Sequence, residues 1–249
     1  IGLLVGLMRL WGRVTREYAK AWEHENARSY FWVGRGRPAA DSVHQQALKA
    51  EVARSKGQES ASSLLDMVKC YEKIKHPIVR AAAQRCGFPM RIVRVCLSIY
   101  AGPQIISVEC AVTVAFRIGT SIVAGCSFAT TLLRVVLIEC LDMGCKLYQT
   151  VSFYVYVDDI DVDTHGSEDE VVEAAAGATR FLVVALESKV KAVVSREKSV
   201  VLGSSANVRN RLQARLASMG IGTDSIEKKL GVDFNLTCGR AVCYPQEAA

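Results

Sequence analysis

The sequence predicts an α+β fold, an antiparallel sheet with helices on one face, and three observations carry that expectation. Valine, tyrosine and phenylalanine crowd Gln149–Val157, and alternation resumes at Ile160–Val162 directly after a polar pair, which reads as a β-hairpin with Val157, Asp158 and Asp159 near its tip. Strands and helices follow in an order that, with two acidic tips brought together from distant positions, fits such a sheet. No GxxxxGK[ST] or GxGxxG loop occurs, so the architectures that cradle phosphates on glycine-rich turns are excluded. Serine-hydrolase and zinc-protease signatures are absent too.

Taken in order, the first sixty residues read as helical and polar, with Trp11, Tyr18, Trp22, Tyr30, Phe31 and Trp32 set among seven lysines and arginines between Arg9 and Arg37. A helix is expected from Asp41 to about Arg54, a linker over residues 55–60, and a short strand over Ser63–Asp66. Pro77 opens a helix that closes near Gly87, and another follows Pro89 to about Tyr100. Residues 105–118 are β-branched and alternate loosely, predicting a strand pair; a helix over about Ser127–Met143 follows. Ser167 and Glu170 form a capping box for a helix reaching about Lys189. Strands are expected at Val193–Leu202 and Lys229–Phe234, flanking a helix over Ser205–Met219 that Gly220 ends.

The chain has 249 residues, half of them hydrophobic and only 5 of them proline, enough for a sizeable core without staples. Nine cysteines, odd in number and without a CxxC pair, fit reduced thiols in an intracellular protein, in nucleus or cytoplasm alike. No membrane partner is expected: the apolar run from Ile118 to Leu141 is broken by Arg134 and Glu139, and Ile1–Leu10 carries Arg9. Nothing in the sequence points to an oligomeric state. The isoleucine start suggests a fragment.

Charge is unevenly distributed. Residues 158–170 hold seven acidic and no basic residues, while the rest of the chain holds 31 basic against 18 acidic. A basic surface suits a polyanion, and an acidic cluster within it suits a divalent metal; a solvated acidic loop is the plainer reading of charge alone.

The strongest local motif is Tyr156-Val157-Asp158-Asp159, and here the chain resembles the reverse transcriptases of group II introns and non-LTR retrotransposons. Further blocks follow in that family's order. Residues 65–76 resemble its first palm motif, with Asp66 at a strand end, Tyr71 at the aromatic position, Glu72 in place of a second aspartate, and His76 matching a frequent histidine. Residues 119–133 resemble the glycine block through Gly125, Leu132 and Leu133, with Ala124 standing for its glutamine and Ser127 for its proline. Residues 195–203 resemble the block that carries a lysine, here Lys198; residues 229–234 resemble the primer-gripping hairpin, with Leu230 and Gly231; residues 36–43 resemble a fingers block.

The resemblance implies a polymerase palm with largely helical fingers and a missing or truncated thumb. Residues 1–62 would be the N-terminal fingers and 63–234 the palm, with inserted fingers elements at about 77–120; 235–249 would be a tail or the start of the missing thumb. It implies an RNA-directed DNA polymerase that adds deoxynucleoside triphosphates to the 3′-hydroxyl of a DNA or RNA primer on an RNA template. Two Mg²⁺ ions, or Mn²⁺, would activate the hydroxyl and stabilise the leaving pyrophosphate. Asp66, the Met67 backbone carbonyl, Asp158 and Asp159 would hold them, Asp66 and Asp158 bridging both. Lys198 would protonate pyrophosphate, and Tyr71 would exclude a 2′-hydroxyl. Gly125, Arg35 and Arg37 would contact nucleotide or template, and Leu230 and Gly231 the primer. Ala124 and Ser127 also suit a catalytically inactive, nucleic-acid-binding relic. A palm copying RNA into RNA is a third reading, which the bulky Tyr71 opposes.

Overall fold

The computed structural model describes residues 6–32, 39–109, 111–229 and 232–237. Helices are α1 (Gly6–Glu25), α2 (Ala39–Ser55), α3 (Cys70–Lys73), α4 (His76–Arg85), α5 (Met90–Tyr100), α6 (Ala129–Leu147), α7 (Glu168–Ala185) and α8 (Ala206–Leu216). Strands are β1 (Glu59–Leu65), β2 (Ser107–Val108), β3 (Ala111–Val112), β4 (Val151–Tyr156), β5 (Asp159–Gly166), β6 (Val200–Gly203), β7 (Gly222–Asp224), β8 (Ile226–Lys229) and β9 (Val232–Asn235). The chain divides into two compact units: residues 1–27, 69–139 and 188–192 form one, and residues 28–68, 140–187 and 193–249 the other.

The first unit is helical. Pro77 stands in the first turn of α4, where its missing N–H is no loss. α1 lies on this unit's core through Gly12, Ala19 and Trp22. A Cβ at Gly12 would come within 2.9 Å of Ser127 Oγ, so the glycine permits that approach. The Trp22 indole N–H donates to the Cys86 carbonyl at 2.8 Å, and its ring meets Phe88 edge-on at 5.2 Å. The strand pair predicted over 105–118 reduces to the exposed two-residue ladder β2–β3 and a bridge between Gln104 and Phe116.

The second unit is built on a five-stranded sheet in the order β4-β5-β1-β6-β7, antiparallel except where β6 and β7 run parallel. The hairpin expected around residues 149–162 is β4–β5, with Tyr156 paired to Asp159. Residues 30–32 cap its outer edge: the Val155 N–H donates to the Tyr30 carbonyl at 2.7 Å, and the Trp32 N–H to the Val155 carbonyl at 2.9 Å. α7 opens on the expected capping box, the Glu170 carboxylate accepting from the Ser167 N–H at 3.0 Å. It stops at Ala185, earlier than predicted, and passes into a π-helical turn over Leu186–Val190. Gly220 ends the helical turns after α8 at φ +67°.

The expectation of helices on one face alone is corrected. α2 covers one face, where Gln46 reaches Asp161 and Lys49 reaches Tyr154. α7 covers the opposite face, where the Ser63 and Thr179 hydroxyls meet at 2.6 Å. The reason lies in β1, Glu59-Ser-Ala-Ser-Ser-Leu-Leu65, which lacks polar and apolar alternation; all its residues after Glu59 are buried, so neither face is left to water. Val43 and Ala50 of α2 pack with Leu64, Val200, Leu202 and Phe234, while Leu65, Ile160, Val162 and Val201 stand at the alternate positions facing α7. Two boundaries also move. β1 begins at Glu59, inside the predicted linker, and of the strand predicted over 193–202 only the part from Val200 forms.

Among the described residues no helix is long and apolar enough to cross a membrane. Cys70, Cys86, Cys96, Cys126, Cys140 and Cys145 are all unbridged.

Candidate functional site

The site lies in the second unit, at the sheet end where β1 stops and β5 starts. Leu65 pairs with Ile160, so the next step along each strand sets Asp66 across from Asp159. Asp158 and Val157 make the two-residue turn that joins β4 to β5. Val157 takes φ +61°, a backbone conformation that favours glycine. A β-branched side chain in that conformation is strained, and strain of this kind concentrates at functional sites.

The turn at residues 195–199 fixes Asp66 from the other side. The Asp66 carbonyl accepts from the Ser195 N–H at 2.8 Å, and its own N–H donates to Ser199 Oγ at 3.1 Å. Ser195 Oγ accepts from the Lys198 N–H at 3.2 Å, and the Ser199 N–H donates to the Ser195 carbonyl at 3.0 Å. This compact turn replaces the first half of the predicted strand, because the two serine hydroxyls and a backbone bond satisfy groups that a ladder would otherwise use.

A cavity of about 680 Å³ opens at this end of the sheet. Asp66, Asp159 and Asp161 line it together with Arg196, Lys198 and, from β7, Thr223 and Asp224. Asp158 is not among its lining residues. Arg196 is also paired with Glu187 at 2.7 Å. The cavity therefore carries both carboxylates and cations in its lining.

Asp161 and Asp163 extend the acidic row inward along β5, at 4% and 2% exposure. Asp161 accepts from Gln46 Nε2 at 3.3 Å, and Asp163 from Ser62 Oγ at 2.6 Å. Beside them the Tyr154 hydroxyl takes a hydrogen bond from Lys49 Nζ at 2.7 Å. Burial, then the charge of Asp163, pushes the Tyr154 phenol well above its ordinary range. His165, next in the row, meets Ser60 Oγ through Nδ1 at 2.9 Å, and burial together with nearby Lys49 pulls its proton affinity down. Sequence reasoning missed Gln46 and Ser199, whose side chains act through hydrogen bonds to residues far along the chain, and Ser195, whose backbone N–H bonds the distant Asp66 while its hydroxyl caps Lys198 nearby.

Carboxylate oxygens of Asp66 and Asp159 are the right donor type for Mg²⁺. Among the described residues, however, no three His, Cys, Asp or Glu side chains converge into a group placed to hold a metal ion. Met67 is buried and bridges Val194 across the same turn.

Tyr71 and Gly125 belong to the first unit. Tyr71 is half-buried in α3, and its carbonyl accepts from the Ile122 N–H at 2.7 Å, which holds the glycine-bearing loop against this short helix. Gly125 takes φ +103°, a conformation that favours glycine. His76 Nε2 meets the Ser121 carbonyl of the same loop at 3.0 Å. Arg35, Arg37, Leu230 and Gly231 lie outside the described residues.

The architecture is a mixed α+β fold: a central sheet with flanking helices and an acidic hairpin tip at one end of the sheet. Solved structures that share it include telomerases. Apo telomerase from Candida tropicalis truncated from its C-terminal domain matches with a TM-score of 0.64 at 14% identity, over 95% of this chain and 45% of that one. Candida tropicalis telomerase in complex with a TWJ fragment of telomeric RNA matches with a TM-score of 0.65 at 12% identity, over 95% and 37%. The corresponding Candida albicans complex gives 0.61 at 14%, over 96% and 38%. The chain thus spans less than half the length of these telomerases. At these identities the likeness extends to the fold and no further. No protein-family profile matches the sequence, and no curated protein matches it.

Proposed function

We propose that this chain is a fingers-and-palm segment of a reverse-transcriptase-like protein and that nucleic-acid binding is the property it retains. The reading rests on one observation, the fold shared with telomerases along 95–96% of this chain, in two cases with a fragment of telomeric RNA bound to the telomerase. The strongly basic background outside residues 158–170 supports it, because phosphate neutralisation by lysine and arginine supplies most of such affinity. Ala124 and Ser127, in place of glutamine and proline, favour binding over catalysis.

A second reading is RNA-directed DNA polymerisation of the group II intron or non-LTR type, on an RNA template with a DNA or RNA primer. The observation favouring it is the shared cavity of Asp66, Asp159 and Lys198. Mg²⁺ or Mn²⁺ on the carboxylates would supply activation of the primer hydroxyl and charge neutralisation at the triphosphate. Lys198 would hold a proton near the leaving pyrophosphate, and Tyr71 would select deoxynucleotides over ribonucleotides.

Anisotropy binding to RNA and DNA primer–templates, run beside primer extension with Mg²⁺ and with Mn²⁺, separates the two. Binding without extension on any template is the expected result. Extension that disappears in both Asp66→Asn and Asp159→Asn decides for the polymerase. Absence of binding at low salt overturns both readings.

A further inference from the structure

The tryptophans and arginines interleaved near the start of the chain form a motif that neither reading uses, and α1 sorts them onto different faces. Trp22 is buried, and Trp11 meets the Phe128 ring edge-on at 5.5 Å. Gly12 and Ala19 complete this inward face on the core of the first unit. Arg9, Arg13, Arg16 and Lys20 are all exposed, and steps of four, three and four residues bring them onto one line along the helix. At about 1.5 Å per residue the line runs about 16 Å. Tyr18, two residues from both Arg16 and Lys20, is exposed on the far side of the helix.

Carboxylates on α1 leave this line largely uncompensated. Glu17 pairs with Lys20 at 2.5 Å, both side chains more than half exposed. Glu23 is engaged elsewhere, accepting from the Thr131 hydroxyl and standing 3.9 Å from Arg134. Among the described residues Arg13 and Arg16 have no ion-pair partner. Like charges three and four residues apart on a helix repel and weaken it. Four such positions filled by cations therefore run against the stability of α1 taken alone, and an anion laid along the line removes the repulsion. Three of the four are arginines, whose planar guanidinium matches phosphate with two parallel hydrogen bonds. The Glu17–Lys20 pair is exposed and contributes little, so Lys20 readily exchanges its carboxylate for a phosphate.

We propose that Arg9, Arg13, Arg16 and Lys20 of α1 form a stripe along which this chain holds the phosphate backbone of a nucleic acid. The assignment rests on the nucleic-acid-binding reading above and gives it a surface. A regular, uninterrupted row of cations suits a polymer with a charge on every unit, which favours a nucleic acid over an acidic protein. With Trp11 and Trp22 turned inward and Tyr18 on the far side, the stripe contacts backbone and leaves the bases unread, so it carries no sequence preference.

Fluorescence anisotropy of a labelled single-stranded RNA and of a labelled DNA primer–template is followed on the full chain between about 50 and 200 mM salt. The double variant Arg13→Gln/Arg16→Gln is compared with Lys56→Gln/Lys146→Gln, which removes the same charge from exposed positions of the second unit. Near 100 mM salt the α1 variant should bind about tenfold or more weakly than wild type, and its slope of log affinity against log salt should be shallower by about 1–2. The Lys56 and Lys146 pair should move both by less than about a third as much. Glutamine is a good helix former and relieves the like-charge contacts, so the α1 variant's thermal midpoint without nucleic acid stays level or rises, which separates weaker binding from unfolding. Equal weakening by the two pairs, or an α1 variant with wild-type affinity and slope, overturns the stripe and leaves nucleic-acid binding standing. Labelled poly-glutamate bound more tightly than RNA of equal charge, and released by the same variant, gives the row to an acidic protein and also overturns the stripe. A wild type that fails to bind at low salt overturns the underlying reading, and the stripe with it.

Discussion

Val157 carries the most informative backbone angle in the site. At φ +61° a β-branched residue loses about 1–2 kcal/mol relative to glycine's freedom there, and the two-residue turn that carries that angle sets Asp159 across from Asp66. Val157→Gly is therefore expected to leave the thermal midpoint unchanged or to raise it, the relief of strain offsetting about 0.4–1 kcal/mol of added unfolded-state entropy. Calorimetry showing a clear loss would mean that the Val157 side chain contributes packing that outweighs the strain. His165 provides a pH test at the same scale. Its folded proton affinity is depressed, so the unfolded chain takes up the proton first, and stability present above the ordinary histidine pKa is lost as pH falls through the depressed folded value. The denaturation midpoint should drop between about pH 7 and 5, and His165→Gln should flatten that slope. An unchanged slope would show that protonation of His165 is not coupled to folding.

At the scale of elements, helix and strand meet through glycine where they approach most closely. A Cβ on Gly203, at the end of β6, would lie 2.9 Å from Arg209 Cγ, 3.0 Å from Val208 Cγ1 and 3.2 Å from the Arg209 backbone nitrogen. The arginine stem can swing away, but the backbone nitrogen and the fully buried Val208 cannot. Gly203→Ala should push α8 from the sheet and cost about 1–3 kcal/mol in denaturant titration. A neutral result would mean that α8 shifts freely. The hairpin tip, the Ser167–Glu170 capping box and the Gly220 stop were legible because each depends on neighbours within a few residues. The turn at 195–199 was not legible: its serines sit between valine-rich flanks with the composition of a strand, and only bonds to the distant Asp66 backbone fix the turn where it stands.

Across the whole molecule, charge is the property that couples most directly to function. Thirty-one basic residues against eighteen acidic ones outside residues 158–170 predict binding to RNA or DNA that weakens by roughly a hundredfold or more between about 50 and 200 mM salt. Affinity that stays flat over that range would remove the electrostatic basis of the proposed function. The acidic segment itself divides. Asp159 and Asp161 reach the cavity, Asp161 and Asp163 are buried beneath α2, and Glu168 and Asp169 are spent on Arg211. One run of like charges thus serves as cavity wall, buried network and helix-to-helix ion pair.

What the sequence determined by itself was local. The helices opened by Pro77 and Ser167, the hairpin ending in Asp158 and Asp159, and the motif order all follow from spacing, capping and turn chemistry within a few residues. Tertiary structure alone decided which carboxylate stands across from Asp66, that both sheet faces are covered, and that Asp161 and Asp163 lie under α2 rather than in water. The physical reason is range. Strand register is set by pairing between residues about a hundred positions apart, and burial of a carboxylate depends on donors such as Gln46 and Ser62 that no local pattern announces.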